Sequence, residues 1–410
     1  MYDAIVVGAR CAGATTAMLL ARRGNRVLLV DRARFPRDTL STLYINTRGV
    51  SRLMRWDLLD DVVAAGTPAL DRVSYRIGAP GAGAVTLDGA PGPTGDATAA
   101  YAPRRSVLDE ILVRAAVAAG VELREGCSVG GLEFDGDRVV GVRLKTGVER
   151  AHLVVGADGM RSTVADAVGA PMIVEDSPKT CVYYSFFADT TDHFELYEAP
   201  GQWIGAVPTN DGATLVQAYF PQSAFQRIRH DAAAAFAENV STAAPELWQR
   251  MQAGGQVDRL YGTGDQRNFF RAAAGPGWVL VGDAGHHRDS ITARGITHAF
   301  LQAELLTDAL PADLADTPTV QRGLERFATQ RYDALIDDYH DTLSVGKLST
   351  PPHRVDMLRE VAEDPERTAK FFAGMAGTAR DEQTPSTESL SALIKWMRRS
   401  RRPATVGSAS

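Results

Sequence analysis

The stretch Tyr2-Asp3-Ala4-Ile5-Val6-Val7-Gly8-Ala9-Arg10-Cys11-Ala12-Gly13, carried on to Arg26-Val27-Leu28-Leu29-Val30-Asp31, decides the fold. Tyr2 to Val7 is a short apolar, β-branched run and reads as a buried strand. A glycine-rich turn leads into a helical stretch from Ala14 to Arg23, and a second strand from Arg26 to Val30 ends on an acid. A strand–turn–helix–strand unit of this form points to dinucleotide binding, with an ordinary βα turn as the alternative. Gly8 permits the tight turn, Gly13 lets helix and strand approach, and Cys11 and Ala12 keep the turn small. The helix's free N–H groups face a pyrophosphate, and Asp31 accepts a hydrogen bond from a ribose hydroxyl. Arg10 stands where the fingerprint usually has a glycine, so its long side chain either swings aside or lends its charge to the phosphates.

The 410 residues exceed one ordinary domain, and 45% hydrophobic with 23% charged residues is the composition of a soluble globular chain. A net charge of −6 argues against nucleic acid as a partner. Cys11, Cys127 and Cys181 show neither disulfide pairing nor metal spacing, so no metal is expected, and Cys11 reads as a packing residue. No apolar run reaches about eighteen residues, and the first strand begins at Tyr2. The expectation is a cytoplasmic protein without stable membrane insertion.

Outward from the fingerprint, Arg32 opens a basic loop to Arg37 on the adenosine side. Helical patterns follow at 50–56 and 58–65. Short alternating runs between 70 and 100, such as Arg72 to Ile77, suggest a hairpin leaving the first domain, with the Gly78–Gly83 stretch a surface turn. A helix is expected over 101–119, strands over 121–123, 128–134 and 138–144, and a buried strand at Leu153-Val154-Val155. Segments 181–188, 193–197, 203–207 and 214–220 read as a meander; helices are expected at 230–240 and 245–253. A third buried strand, Trp278 to Val281, precedes Gly282-Asp283, with long helices from Gly295 to about 310 and over 321–343. The chain finishes in a basic cluster, Arg398-Arg399-Ser400-Arg401-Arg402, read as a solvated, mobile tail. This predicts an α/β protein: a Rossmann-like cofactor domain with a parallel sheet (1–70, 101–170 and 265–345), an interleaved antiparallel-sheet substrate domain (71–100 and 171–264), and a C-terminal helical segment with the tail (346–410).

Three strand ends now carry an acid: Asp31, Asp158 in Gly156-Ala157-Asp158-Gly159-Met160-Arg161-Ser162, and Asp283 in Gly282-Asp283-Ala284-Gly285-His286. In that order and spacing, from Met1 to about Leu310, the chain resembles the class A flavoprotein monooxygenases, the p-hydroxybenzoate hydroxylase-like group. The resemblance implies that the fingerprint holds the ADP half of FAD, that Asp158 serves both FAD and NAD(P)H, and that Asp283 holds the ribityl chain. Arg105, in Arg105-Ser106-Val107-Leu108, matches the family's Arg-x-x-Leu at the cofactor, and Val129 falls on the adenine-side strand. Gly295 and Ile296 open a helix whose positive end would face the flavin N1/O2 edge and favour the anionic reduced ring. The implied chemistry is reduction of FAD by NAD(P)H, bound transiently, and oxygen transfer from O2 through a flavin C4a-hydroperoxide. The implied substrate is an aromatic or polyketide-like small molecule of bacterial secondary metabolism. The family's Pro-x-x-Gly-Gln-Gly-x-Asn loop is altered, however: Ser290 replaces proline, Ala293 the first glycine, Arg294 glutamine and Thr297 asparagine. Arg294 would either stabilise negative charge at the flavin or reach solvent.

No side chain presents itself as a general base. Tyr44 and the meander aromatics Tyr183, Tyr184, Phe186, Trp203 and Tyr219 are candidates either for a substrate pocket or for core, since the sequence does not say which strand face meets the flavin. His286 is a pocket candidate beside the Gly-Asp segment, with a structural role as the alternative, and His298 is open in the same way. Halogenation is disfavoured, because the first lysine is Lys145 and the halogenase Gly-Trp-x-Trp-x-Ile-Pro signature is replaced by Gly201-Gln202-Trp203-Ile204-Gly205-Ala206-Val207-Pro208. A reductase of the geranylgeranyl-reductase kind and a non-catalytic flavin-binding accessory protein are the alternatives.

Overall fold

The computed structural model describes residues 1–81 and 83–377; the basic cluster at 398–402 lies outside the described residues. The opening unit forms as expected: β1 (Tyr2–Val7), α1 (Cys11–Arg22) and β2 (Val27–Val30). The helix starts three residues before the expected Ala14, because Cys11 and Ala12 already take helical geometry once Arg10 is extended (φ −92°). Next come α2 (Thr47–Arg55), α3 (Leu59–Ala64), β3 (Ala69–Leu70), the hairpin β4 (Val73–Ile77) and β5 (Val85–Gly89), and β6 (Ala100–Tyr101). The helix expected from residue 101 begins only at Arg105, as α4 (Arg105–Ala118), since Tyr101 pairs with Ala69 and Ile45 instead. Then follow β7 (Glu122–Arg124), β8 (Val129–Asp135), β9 (Arg138–Leu144), β10 (Gly147–Gly156), α5 (Thr163–Ala167) and β11 (Met172–Asp176). The meander is β12 (Thr180–Ala188), β13 (Phe194–Ala199), β14 (Gln202–Pro208) and β15 (Ala213–Pro221). It leads to α6 (Phe225–Ile228), α7 (Ala232–Ala243), α8 (Pro245–Gly254), β16 (Tyr261–Thr263), β17 (Asn268–Arg271), β18 (Ala274–Gly275), β19 (Trp278–Leu280) and β20 (His286–His287). The chain closes with α9 (Gly295–Ala309), α10 (Thr317–Val345), α11 (Pro352–Ala362) and α12 (Pro365–Ala376).

The first sheet runs β18-β19-β10-β1-β2-β7, and β19, β10, β1, β2 and β7 are mutually parallel. Its central strand is covered on both faces, which is why Ala4, Ile5 and Val6 are all apolar and fully buried rather than alternating. One face carries α1, α4 and α9 through Ala14, Met18, Leu112, Phe300 and Leu306. The other packs on the β8–β9 hairpin, through Leu132, Val139 and Val142.

The second sheet, β16-β12-β15-β14-β13-β4-β5, is antiparallel except where β4 lies parallel to β13. Its registers pair Tyr184 with Gln217 and Trp203 with Tyr219. Strand alternation then divides the meander into two faces, and a one-residue slip would exchange them. Tyr184, Phe186, Trp203, Leu215 and Tyr219 lie in a cluster with Leu43, Ile291 and, from α11 and α12, Leu358, Phe371 and Phe372. Tyr183, Phe187, Ile204 and Phe220 lie on the other face, against Phe236, Val240, Leu247 and Met251 of α7 and α8. Tyr183 is therefore core of the outer layer and leaves the list of pocket candidates.

A Cβ on Gly13 would sit 1.7 Å from the Gly8 carbonyl oxygen. Gly13→Ala should force α1 off the first turn and lower stability by about 1–3 kcal/mol or more, read as a shift of the urea midpoint at unchanged slope.

Candidate functional site

Three turns meet at the carboxyl ends of the parallel strands, where open sheets of this kind place their ligands. In the first, Gly8 adopts φ +100°, and a Cβ there would meet the Ala157 carbonyl oxygen at 2.4 Å. In the second, Gly282 adopts φ +58°, with space for a Cβ taken by the Ala12 methyl at 2.7 Å. The amino end of α1 thus touches both the Asp158 segment and the Gly-Asp segment, and it has no side-chain cap. The amino end of α9 is likewise uncapped, and around Gly295 a Cβ would meet nothing within 4 Å. By contrast α2, α5, α7, α10 and α12 are each capped by a side chain of their own. Uncapped N–H groups with open space before them are what an anionic cofactor requires.

Asp31 sits just past β2. Its carboxylate accepts from the N–H of Ala9 and of Ala33, each at 2.7 Å, which locks it against the fingerprint with lone pairs to spare. The backbone of Cys127 donates to the Asp31 carbonyl at 2.8 Å, bringing Val129 and the start of β8 alongside. Arg32 is exposed at the same edge. Asp283 is exposed between buried Gly282 and Ala284. Asp158 is different. It accepts from the Ser162 hydroxyl at 2.5 Å and from the N–H of Thr163 and Val164 at 2.7 and 3.3 Å, so its carboxylate is taken up in starting α5. The Ala157–Asp158 backbone also braces the first turn at Gly8.

Arg10 swings aside. Its guanidinium meets Asp109 at 2.6 Å and lies 5.7 Å over the Phe35 ring. The same fully buried Asp109 takes a forked pair from Arg105, at 2.9 and 3.1 Å, and receives the Cys11 thiol at 3.4 Å. Burial disfavours the Arg105 charge, yet nearby Cys11, Asp109 and Asp283 together raise its pKa above the ordinary value. Burial, foremost, pushes the Cys11 thiol up to about 12, so it packs rather than reacts. Asp109, on the inner face of α4, escaped the sequence reading; its one signal was its place four residues after Arg105, at helix spacing.

The altered loop precedes α9. Ala293 occupies the left-handed region (φ 51°), which explains why glycine is usual there. Arg294 is largely withdrawn from solvent: it forms an ion pair with Asp338 of α10 and donates to the Met375 carbonyl of α12 at 2.9 Å. Thr297 donates to Asn46, whose amide donates in turn to the Ala376 carbonyl, so both loop changes anchor α12. Asp338 also binds His298. Arg288 can only donate, and does so to His298 Nδ1 at 2.9 Å, which leaves Nε2–H to donate to Asp338 at 2.9 Å. Burial and the Arg288 charge push the His298 pKa down to about 3, against the pull of Asp338.

Of the pocket candidates, Tyr44 (4.6 Å from the Phe194 ring), Tyr184, Trp203 and Tyr219 share one cluster with Ile291 of the loop. Tyr219 reaches the Ser290 hydroxyl at 3.0 Å. Arg104 lies 3.8 Å over Phe186 and near Asp38 and Asp258, a charged rim that the sequence did not disclose. His286 is not in this cluster. It faces away on β20, its ring 4.2 Å from Phe270 and 6.2 Å from Tyr339, and burial, then Arg288, lowers its pKa well below the ordinary range.

A two-layer α/β protein with a glycine-cradled dinucleotide site against an aromatic sheet defines a flavoprotein oxidoreductase. The family model described as "FAD binding domain" matches residues 1–334. The chain belongs to that family, the p-hydroxybenzoate hydroxylase-like flavoprotein monooxygenases, and is an FAD-dependent oxidoreductase. It is 26% identical over 341 residues to 6-methylpretetramide 4-monooxygenase of Streptomyces rimosus, covering 80% of each chain. It is 27% identical over 321 residues to tryptophan 2-halogenase of Chondromyces crocatus, covering 74% of this chain and 60% of that one. Among solved structures it superposes on the flavin-dependent brominase Bmp2 with a TM-score of 0.81 and 17% identity, covering 97% and 98% of the two chains. Halogenases disfavoured by the sequence reading thus stand among its relatives.

Two outcomes follow from the buried charges. Asp109→Asn leaves Arg10 and Arg105 without a counter-charge and should cost about 3–5 kcal/mol in urea unfolding. His298 is neutral when folded and takes up a proton near the ordinary 6.5 when unfolded. Its contribution is therefore whole above about pH 6.5 and lost as pH falls toward 3. His298→Gln should flatten stability against pH across that window by up to about 1.4 kcal/mol per pH unit.

Proposed function

We propose that this chain is an FAD-dependent monooxygenase that uses NAD(P)H and O2 to hydroxylate or otherwise oxygenate an aromatic or polyketide-like small molecule. The observation that carries this reading is the loop between Arg288 and Gly295. It belongs at once to the uncapped amino end of α9 and, through Ile291, to the aromatic face that holds Tyr184, Trp203 and Tyr219. FAD bound there would supply reducing equivalents from NAD(P)H and the activation of oxygen. Gly8, Ala12, Gly13 and Asp31 would hold its adenosine and phosphate half, with Arg105 and Asp283 beside the sugar chain and Gly295 and Ile296 at the ring. The protein's own part is to position the substrate and to keep water out, and the buried aromatic face with α11 and α12 laid over it suits both.

The relative named 6-methylpretetramide 4-monooxygenase supports the oxygenation of a small organic molecule. Halogenation is less favoured by the lysines. Among the described residues Lys145 and Lys347 are exposed, while Lys179 pairs with Asp176 at 3.8 Å and Lys370 with Glu366 at 2.5 Å. Among the described residues no helix is long and apolar enough to cross a membrane.

Purified protein should be yellow, release FAD on denaturation, and consume NAD(P)H and O2 faster when a phenolic polycycle is added. A colourless protein that fails to take up FAD sinks the reading. NAD(P)H oxidation without oxygen uptake would point to the reductase alternative, and a requirement for chloride or bromide to halogenation.

A further inference from the structure

At the boundary between the loop and the aromatic face, a hydrogen-bond chain runs Tyr219–Ser290–Gln266–Thr180–Asp289, and its polarity is determined by backbone groups. The backbone N–H of Ser290 can only donate, and it lies 3.1 Å from Gln266 Oε1; the Thr180 carbonyl can only accept, and it lies 3.3 Å from Gln266 Nε2. The amide of buried Gln266 is therefore oriented with its oxygen toward Ser290 and its nitrogen toward Thr180, where it also donates to the hydroxyl at 2.9 Å. That hydroxyl in turn donates to the Asp289 carboxylate at 2.7 Å. On the other side, the Ser290 hydroxyl is 2.6 Å from the same Gln266 oxygen, which has no proton to offer, so Ser290 must be the donor. Tyr219, 3.0 Å from Ser290 and 3.2 Å from Gln217 Oε1, then has only acceptors before it and donates to one of them. Whichever it chooses, the Ser290 proton stays on Gln266. Tyr219, Gln266, Thr180 and Asp289 are buried, and Ser290 is the half-exposed end of the chain.

A serine hydroxyl is ordinarily free to give or take a hydrogen bond. Here it has been reduced to an acceptor. We propose that Ser290, oriented by Gln266 and seconded by the Tyr219 oxygen, selects a substrate that presents an N–H or O–H donor at this edge of the pocket, and disfavours one that presents a carboxylate, ether or carbonyl oxygen there. The inference rests on the flavin-site reading above and adds the chemical demand the site makes on its substrate. A ligand oxygen at this place would face lone pairs only, and the polar edge would go unpaired. The resembled loop has proline where this chain has Ser290, and proline has neither the N–H nor the hydroxyl that the Gln266 amide oxygen receives here.

Indole and benzofuran test this, being nearly isosteric with N–H and ether oxygen exchanged. Their affinities for the FAD-loaded protein are read from perturbation of the flavin absorption band. Indole should bind at least roughly tenfold tighter in the wild type, the preference should vanish in Ser290→Ala, and it should fall in Gln266→Leu, where the serine proton is released. Equal affinities, no binding of either probe, or a preference that survives Ser290→Ala overturns the inference. So does a flavin spectrum already displaced in ligand-free Ser290→Ala, which would assign the acceptor to the cofactor's own N–H. Because the protein is first shown to hold FAD, loss of the flavin-site reading itself is seen separately, as colourless protein.

Discussion

The structure turns on the closeness with which the amino end of α1 is pressed between two strand ends. At Gly8, Gly13 and Gly282 a single added carbon would fall 2.4, 1.7 and 2.7 Å from backbone or methyl atoms. Side chains are thus barred from the turns after β1 and β19 at Gly8 and Gly282 and from the first turn of α1 at Gly13, and no side chain caps the start of that helix. A surface of bare backbone donors at the carboxyl edge of a parallel sheet attracts a phosphate-bearing ligand by geometry and dipole together. The remaining charges are arranged around that edge.

Asp109 is the clearest instance. A fully buried carboxylate is costly alone, and here it is satisfied by two guanidinium groups and a thiol at once. It draws Arg10 out of the phosphate position, which is how a long cationic side chain is tolerated where glycine is usual. It also fixes Arg105 at the start of α4 and ties that helix to α1. Fingerprint and fourth helix are one electrostatic unit, so neither Arg10 nor Arg105 can be read separately.

A comparable economy governs the far side of the site. The loop before α9 carries Arg288 and Arg294, yet both charges are turned back into the molecule, onto His298, Asp338 and the end of α12. What remains toward the aromatic face is a serine, an isoleucine and an exposed glycine. The loop itself thus adds no unpaired guanidinium beside the aromatic face. Through Met375 and Ala376 the same loop holds α12, which packs over the aromatic face.

The local chemistry of the cofactor half was legible in the sequence. A buried apolar strand, a glycine where no Cβ fits and an acid at a strand end are demands made within a few residues, so the turn at Gly8, the close approach at Gly13, the strand-end places of Asp31 and Asp283 and the helix start at Gly295 could be read from the chain. Strand spans such as β9 and the meander were equally readable from alternation. What the chain order cannot contain is which distant groups meet. The register of β12 against β15 placed Tyr184 and Tyr219 inward and Tyr183 outward. Asp338, 44 residues beyond Arg294, decided where that charge would point, and the packing of β20 near α10 set His286 against Phe270 and Tyr339. Those outcomes depend on side chains brought together from separate layers, and only the folded molecule supplies the partners that fix direction, pKa and hydrogen-bond polarity.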